Sequence, residues 1–202
     1  MRIINPQVKQ DIDSQRLLKI DLGNGGKSRQ GFYGIDCLEL KNVDIVADLN
    51  EALDLLPDNC VEHLISNHCL EHIENLMLLM KEIHRIVKPE GVIEIVVPHF
   101  SSPYFYSDPT HVRFFGLYTM YYFVSREKQP QVREVPTFYS DTKFNITQIK
   151  IQFNRRTFLD KLIAHPMAKL VNRNLYWQDF YESKLSGLFR ASIISYIMSP
   201  DK

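Results

Sequence analysis

Between Leu17 and Asp48 the sequence sets glycines and acids at intervals that suit a ligand site. The apolar run Leu17-Leu18-Lys19-Ile20-Asp21-Leu22 ends at Gly23-Asn24-Gly25-Gly26. Glycines placed directly after such a run let the backbone take positive φ and lie close to a bound molecule. Two later runs end on acids, at Asp36 and at Asp48, and a carboxylate at a strand end can accept hydrogen bonds from a diol or an amine. A dinucleotide fits poorly. Counted from Gly23, the sixth position of G-x-G-x-x-G is Ser28, and Asp36 stands closer to the turn than the acid of that fingerprint, which lies about 20 residues on. The phosphate loop G-x-x-x-x-G-K-[ST] fails as well, because Asp21 occupies the position where Gly26-Lys27-Ser28 requires a glycine.

His68-Cys69-Leu70-Glu71-His72 reads H-x-x-E-H. On a helix that spacing lets two histidines share a zinc ion with the glutamate as base, so a zinc hydrolase through His68, Glu71 and His72 is an alternative. The run Val61 to Asn67 reads as a strand, however, which puts His68 at a strand end. No third ligand is identifiable and no metal is assigned. Farther on stand His99 and the group Asp108-Pro109-Thr110-His111. His99, Asp108 and His111 are the catalytic candidates; a histidine is suited to proton transfer near neutral pH, so His111 is the first choice for a catalytic base and His99 the second. The structural readings are a strand-end cap for His99 and a hydrogen bond to Asp108 for His111. Tyr104, Tyr106 and Arg113 are candidates for substrate binding, since aromatic faces stack on sugars and a guanidinium pairs with phosphate or carboxylate.

The elements that must position these groups alternate between strand and helix. Residues 17–22, 31–36, 43–48 and 61–67 read as short buried strands. Leu76, Leu79, Met80, Ile83, Ile86 and Val87 recur at helical spacing between about Ile73 and Lys88, and Pro89-Glu90-Gly91 stops the helix. The β-branched run Gly91 to Val97 follows, which makes a strand–helix–strand crossover and therefore a parallel sheet. An aromatic, irregular stretch fills His99 to Pro136. Phe144 to Phe153 alternates as a half-exposed strand, helices are expected over about Arg155–Val171 and Tyr176–Leu188, and Ser192 to Met198 is a last strand.

Several segments taken in order resemble the class I S-adenosylmethionine-dependent methyltransferases of the type 11-like kind. They are Leu18 to Gly25, Gly34-Ile35-Asp36, Ala47-Asp48-Leu49-Asn50, Asn67 to Ile73, and Arg85 to Gly91. The resemblance implies a Rossmann-like, mostly parallel sheet of seven strands with the last antiparallel beside Phe144–Phe153 and helices on both faces. It implies S-adenosyl-L-methionine as cofactor, with Asp21 toward the ammonium, Gly23, Asn24 and Gly25 along the methionine and ribose, and Asp36 and Cys37 at the ribose. It also puts Asp48 and Leu49 at the adenine, and Asn67 and His68 at the methionine end. Asn24 departs from the small residue common in the family, and the Gly25-to-Phe32 link is shorter than its usual helix. Members with that short link and a later Asp-Pro-Thr-His-x-x-x-Phe include enzymes of cell-surface saccharide synthesis. The expected activity is methyl transfer to a small-molecule or saccharide hydroxyl; a catalytically inactive cofactor-binding or regulatory protein of the same fold is the alternative.

Size and composition bound the rest. The chain's 202 residues suit one domain, here divided into a cofactor core (17–98), an aromatic acceptor-side insertion (99–143) and a C-terminal strand–helix–strand (144–202). Equal numbers of basic and acidic residues, 24 each, give no net field to attract nucleic acid. The halves differ: residues 1–100 carry 10 Lys and Arg against 16 Asp and Glu, residues 101–202 carry 14 against 8. Arg155, Arg156, Lys161, Lys169, Arg173, Lys184 and Arg190 are compatible with peripheral contact to an anionic surface, although ordinary amphipathic packing is the simpler account. Cys37, Cys60 and Cys69 form no C-x-x-C pair, and neither a signal peptide nor a run of about 18 apolar residues is present. A cytoplasmic protein with no integral membrane segment is expected.

Overall fold

A computed structural model describes residues 1–154 and 158–202, without the side chains at 159, 161 and 163. Arg155, Arg156 and the side chain of Lys161, named above as basic groups, lie outside the described residues, as does the expected start of the helix at Arg155. The elements run β1 (Arg2–Ile3), α1 (Pro6–Asp13), β2 (Leu18–Leu22), β3 (Tyr33–Asp36), β4 (Ile45–Val46), β5 (Val61–Asn67), a 3-10 turn (Leu70–His72), α2 (Leu76–Ile86), β6 (Val87–Pro98), β7 (Phe144–Phe153), α3 (Phe158–Val171), α4 (Leu175–Phe180) and β8 (Ala191–Pro200). A π-helical turn, Tyr181–Leu185, continues α4 where the sequence reads a helix to Leu188.

The strands form one sheet in the order β1-β4-β3-β2-β5-β6-β8-β7. β2 lies parallel to β3 on one side and to β5 on the other, and β5 lies parallel to β6. β8 inserts antiparallel between β6 and β7, as expected for the last strand. The seven strands read from the sequence are all present; β1, two residues antiparallel to β4 at the sheet's edge, is an eighth that so short a segment could not announce. The fold is a Rossmann-like, mostly parallel sheet with helices on both faces.

Apolar alternation and continuous apolar runs account for the core. Ile20 and Leu22 of β2, Ile35 of β3, Leu64 of β5, and Ile93 and Ile95 of β6 have no solvent exposure, each such burial contributing about 1.5–3 kcal/mol. α2 is capped by Asn75, whose side chain accepts from Leu78 N, and buries Leu76, Leu79, Met80, Ile83 and Ile86 on one face. It is shorter than the periodicity predicts at both ends. Residues 70–72 form a 3-10 turn, and Ile86 is the last helical residue because Pro89 forces the backbone before it into an extended form. Pro89-Glu90-Gly91 therefore lies inside β6, where pairing slips between Val61↔Val87 and His63↔Val92 and Glu90 takes φ 61°.

The strand order reverses at β2, so the crevice at a topological switch point opens beyond the carboxyl ends of β2 and β5. Gly23 and Asn67-His68 follow those two ends. Parallel neighbours are ordinarily joined by a helix, yet residues 23–32 link β2 to β3 without one. The chain before β2 supplies a substitute: Val8 of α1 enters the core, and Tyr33 donates its hydroxyl to Asp11 at 2.8 Å.

Candidate functional site

The turn after β2 is built so closely that its residue types are dictated locally. Gly23 has φ 69°, and a Cβ there would stand 2.3 Å from Cys69 Sγ, so the end of β2 is pressed against the chain that leaves β5. Gly23 N donates to Ile35 O at 2.8 Å, tying the turn to β3. Gly25, with φ 57°, has open space where a side chain would stand, and its N–H donates to Asp36 Oδ2 at 2.8 Å. Asp36 Oδ1 accepts from Leu38 N at 3.1 Å. Each carboxylate oxygen has two lone pairs, so Asp36 binds the turn and keeps acceptor capacity toward a diol. Cys37 sits beside it, its thiol held above the usual range by burial and by the Asp36 charge.

Two of the expected cofactor residues have other engagements. Asn24 is buried, and its Nδ2 donates to Asn42 O at 2.8 Å and Lys27 O at 3.0 Å. It braces the loop, and a Cβ on Gly34 would collide with it; this is what the non-small residue at position 24 does here. Asp21 accepts an ion-paired hydrogen bond from Arg29 Nε at 3.0 Å. With Lys19, Arg29, Glu62 and Asp44 it lines a cavity of about 620 Å³. The short link returns Arg29 to this acid, an arrangement that a ligand-bound ammonium would have to share.

Around the rest of the crevice, Asp48 is exposed and accepts from Asn50 N at 2.8 Å, an Asx turn, while Leu49 is buried in the core beside it. Asn67 closes β5. His68 takes φ 53°, its N–H donating to Val96 O at 2.8 Å, and its half-exposed ring places Nδ1 3.3 Å from Glu71 Oε1. Because residues 70–72 are a 3-10 turn and His68 lies outside it, His68 and His72 do not share a helix face. The helical premise of the zinc-hydrolase reading is thereby corrected.

The candidates for proton transfer separate cleanly. His99 is fully buried and both its ring nitrogens are engaged, Nδ1 with Ser101 Oγ at 2.8 Å and Nε2 with Glu182 Oε1 at 3.0 Å. It anchors the π turn to the end of β6, and no lone pair faces an acceptor. Ser101 and Glu182, 81 positions apart in sequence, carry no mutual spacing that would reveal this. His111 is different. Its Nδ1 donates to Phe105 O at 2.9 Å, and Nε2 lies 3.8 Å from Asp108 Oδ2. Asp108 is held below the usual carboxylate range, first by the Thr110 hydroxyl and amide that donate to it, with His111 and His72 contributing. The rings of His72 and His111 meet edge-on at 4.7 Å.

Of the substrate candidates, Arg113 is engaged by the protein itself: Nε donates to Ile73 O at 2.7 Å and the guanidinium also reaches Glu74 O. Val112 N and Arg113 N both donate to Glu71 O. Arg113 thus clamps the Asp108–Phe114 segment to the 3-10 turn, an engagement that an acceptor bound by its guanidinium would have to share. Tyr106 is exposed and donates its hydroxyl to Phe100 O at 3.0 Å, and Tyr104 lines a second cavity with Phe153, Asp160 and Arg190.

Residues 29–95 match a family described as a methyltransferase domain. That span includes Asp36, Asp48, Asn67 and His68, with the glycine turn immediately before it. A methyltransferase of Archaeoglobus fulgidus that depends on S-adenosylmethionine is 19% identical, with 96% of this chain and 91% of that chain covered at a TM-score of 0.52. The phosphoethanolamine N-methyltransferase 2 of Haemonchus contortus, solved in complex with S-adenosyl-L-methionine, is 16% identical. It is covered over 98% of this chain and 53% of that chain, at a TM-score of 0.50. No curated protein matches the chain. At such identities the two structures bear on the fold alone. A glycine at position 23 that only a bare backbone can fill, an acid with lone pairs to spare at the end of β3, and open space over Gly25 fit an adenosyl group. With the domain match over residues 29–95 and the fold, they make this chain similar to the class I S-adenosylmethionine-dependent methyltransferases.

Proposed function

We propose that the protein transfers a methyl group to the hydroxyl of a small-molecule or saccharide acceptor seated beyond the carboxyl ends of β5 and β6. The observation that carries this reading is the state of His111. A carbonyl can only accept, so Nδ1 carries the proton toward Phe105 O, and in the neutral ring the Nε2 lone pair is the base. S-adenosylmethionine supplies, when bound, a methyl carbon on a sulfonium, open to in-line attack. The chain's own task is then to align the acceptor oxygen and remove its proton.

In this reading Gly23 and Gly25 let the main chain lie along the cofactor, and Asp36 accepts from the ribose hydroxyls. Leu49 and Asp48 meet the adenine, and Asn67 and His68 border the methionine. Asp108 holds charge near the His111 ring and steadies the imidazolium formed after proton uptake. Tyr104 and Tyr106 offer ring faces to a sugar. Among the described residues no helix is long and apolar enough to cross a membrane. The three free cysteines suit a reducing compartment, and we place the protein in the cytoplasm.

The test is formation of S-adenosylhomocysteine, followed chromatographically, with hydroxyl-bearing sugars and small alcohols set against amine and thiol acceptors. Turnover confined to hydroxyl acceptors supports the reading. Turnover only with amines or thiols contradicts it, and cofactor binding without turnover on any acceptor assigns the chain a regulatory role.

A further inference from the structure

We propose that Glu71, His72 and His111 form a binding site for a divalent transition-metal ion of the zinc class. A carboxylate oxygen of Glu71 and one ring nitrogen from each histidine lie within 4.8 Å of one another. Ligand atoms about 2.0–2.2 Å from a tetrahedral zinc stand about 3.4 Å apart, so closing on the ion takes side-chain shifts of about 1 Å.

As neutral rings, the two imidazoles are held in the tautomer that a metal needs. His111 Nδ1 donates to Phe105 O, as above, which leaves Nε2 with its lone pair. The same holds for His72 by a longer relay. Thr110 Oγ1 lies 2.6 Å from Asp108 Oδ1, an oxygen that accepts, so the hydroxyl proton points to Asp108. Thr110 Oγ1 then accepts from His72 Nδ1 at 2.9 Å, and Nε2 of His72 is free. Metal-bound histidines ordinarily donate their second nitrogen to a carbonyl or to a group held by a carboxylate, and here both do so before any ion arrives.

Glu71 supplies the independent sign. Its side chain has no exposure, and Oε2 is buried without a hydrogen-bond partner. An unpartnered buried carboxyl oxygen is a standing cost unless something coordinates or donates to it. The backbone brings the pieces together: Val112 N and Arg113 N donate to Glu71 O, setting His111 over the 3-10 turn that carries Glu71 and His72. The ligand set is therefore not the H-x-x-E-H triple, since His68 lies at the strand end and His111 takes its place. Three protein ligands leave a fourth position for water or a substrate oxygen, and Cys69, which starts the turn, is the residue against Gly23. The site therefore borders the cofactor turn. With the ion bound, His111 Nε2 is a ligand and no longer the base, and the cation's charge assists a hydroxyl at the open position in passing its proton to solvent water. That last consequence alone rests on the hydroxyl-transfer reading.

The full chain, free of added histidines and stripped with chelator, is titrated with zinc chloride by calorimetry, and metal content is measured by mass spectrometry. One zinc per chain is expected. His111→Ala and His72→Gln should each abolish stoichiometric uptake, and Thr110→Val should weaken it about 10–100-fold. His63→Ala, whose partner is Glu94 on β6, should still bind one ion. Circular dichroism and binding of S-adenosylhomocysteine report that each variant is folded. No uptake by the native chain, or one zinc retained in folded His111→Ala or His72→Gln, overturns the site. Because the readout needs no acceptor, zinc failure with cofactor binding intact leaves methyl transfer standing.

Discussion

A methyl group on Gly23 would have nowhere to go. At φ 69° with Cys69 Sγ 2.3 Å from the added carbon, Gly23→Ala should destabilise the chain by about 2–4 kcal/mol, combining left-handed strain with overpacking; urea unfolding measures it. Asp36→Ala is expected to weaken S-adenosylhomocysteine binding by about 1–3 kcal/mol, because donors it serves lose their acceptor. Calorimetry gives the number, and an unchanged affinity would remove Asp36 from the ribose. His111→Ala should lower turnover roughly 100-fold while leaving cofactor affinity alone, and His99→Ala should act instead through stability, since His99 joins Ser101 to Glu182 inside the protein. The places of Asp36 and the turn glycines at strand ends were legible in the sequence because each closes or directly follows an apolar run. The engagements of Asn24 with Asn42 and of Asp21 with Arg29 were not, because they depend on side chains and carbonyls that the short link brings back from elsewhere in the chain.

α2 shows what holds an element in place once its apolar stripe is buried. Arg85 donates to the carbonyls of Leu53 and Leu56, to Asp58 and to Glu82, and Glu82 accepts from Leu53 N at 2.8 Å. The Arg85 hydrogen bonds, with a smaller contribution from the Leu53 amide, hold the Glu82 carboxyl below its ordinary value near 4.5. A carboxyl depressed in the folded state contributes stability that is complete above its unfolded value and is lost as pH falls through the folded one. Stability should therefore decline below about pH 4.5, and Glu82→Gln should flatten that decline in thermal melts taken across the range. Arg85→Ala should cost about 2 kcal/mol by leaving the Leu53 and Leu56 carbonyls unserved. The helix and the strands on either side of it were legible from periodicity alone. Its ends were not: the 3-10 turn at 70–72 and the slip at Glu90 are set by pairing of β5 with β6 and by the proline's steric demand, which hydrophobic spacing does not report.

Across the whole molecule, the sheet's reversal at β2 explains why residues far apart in sequence share one end of the fold. His72 and His111 stand 39 positions apart, yet their rings are 4.7 Å apart, a meeting that required the aromatic segment to fold back over the turn after β5. The mostly parallel sheet and the antiparallel last strand beside Phe144–Phe153 followed from the family resemblance; the order of the strands came from the structure, as did β1 and the cavity beside Asp21, where the N-terminal segment stands in for a missing crossover helix. Methyl transfer by this fold requires that the crevice after β2 accept an adenosyl thioether and no dinucleotide. Calorimetric titration of the native chain with S-adenosylhomocysteine and, separately, with NAD tests this most directly. One site for S-adenosylhomocysteine, weakened in Asp36→Ala, and no heat from NAD are expected. Saturable binding of NAD with none of S-adenosylhomocysteine would contradict that requirement.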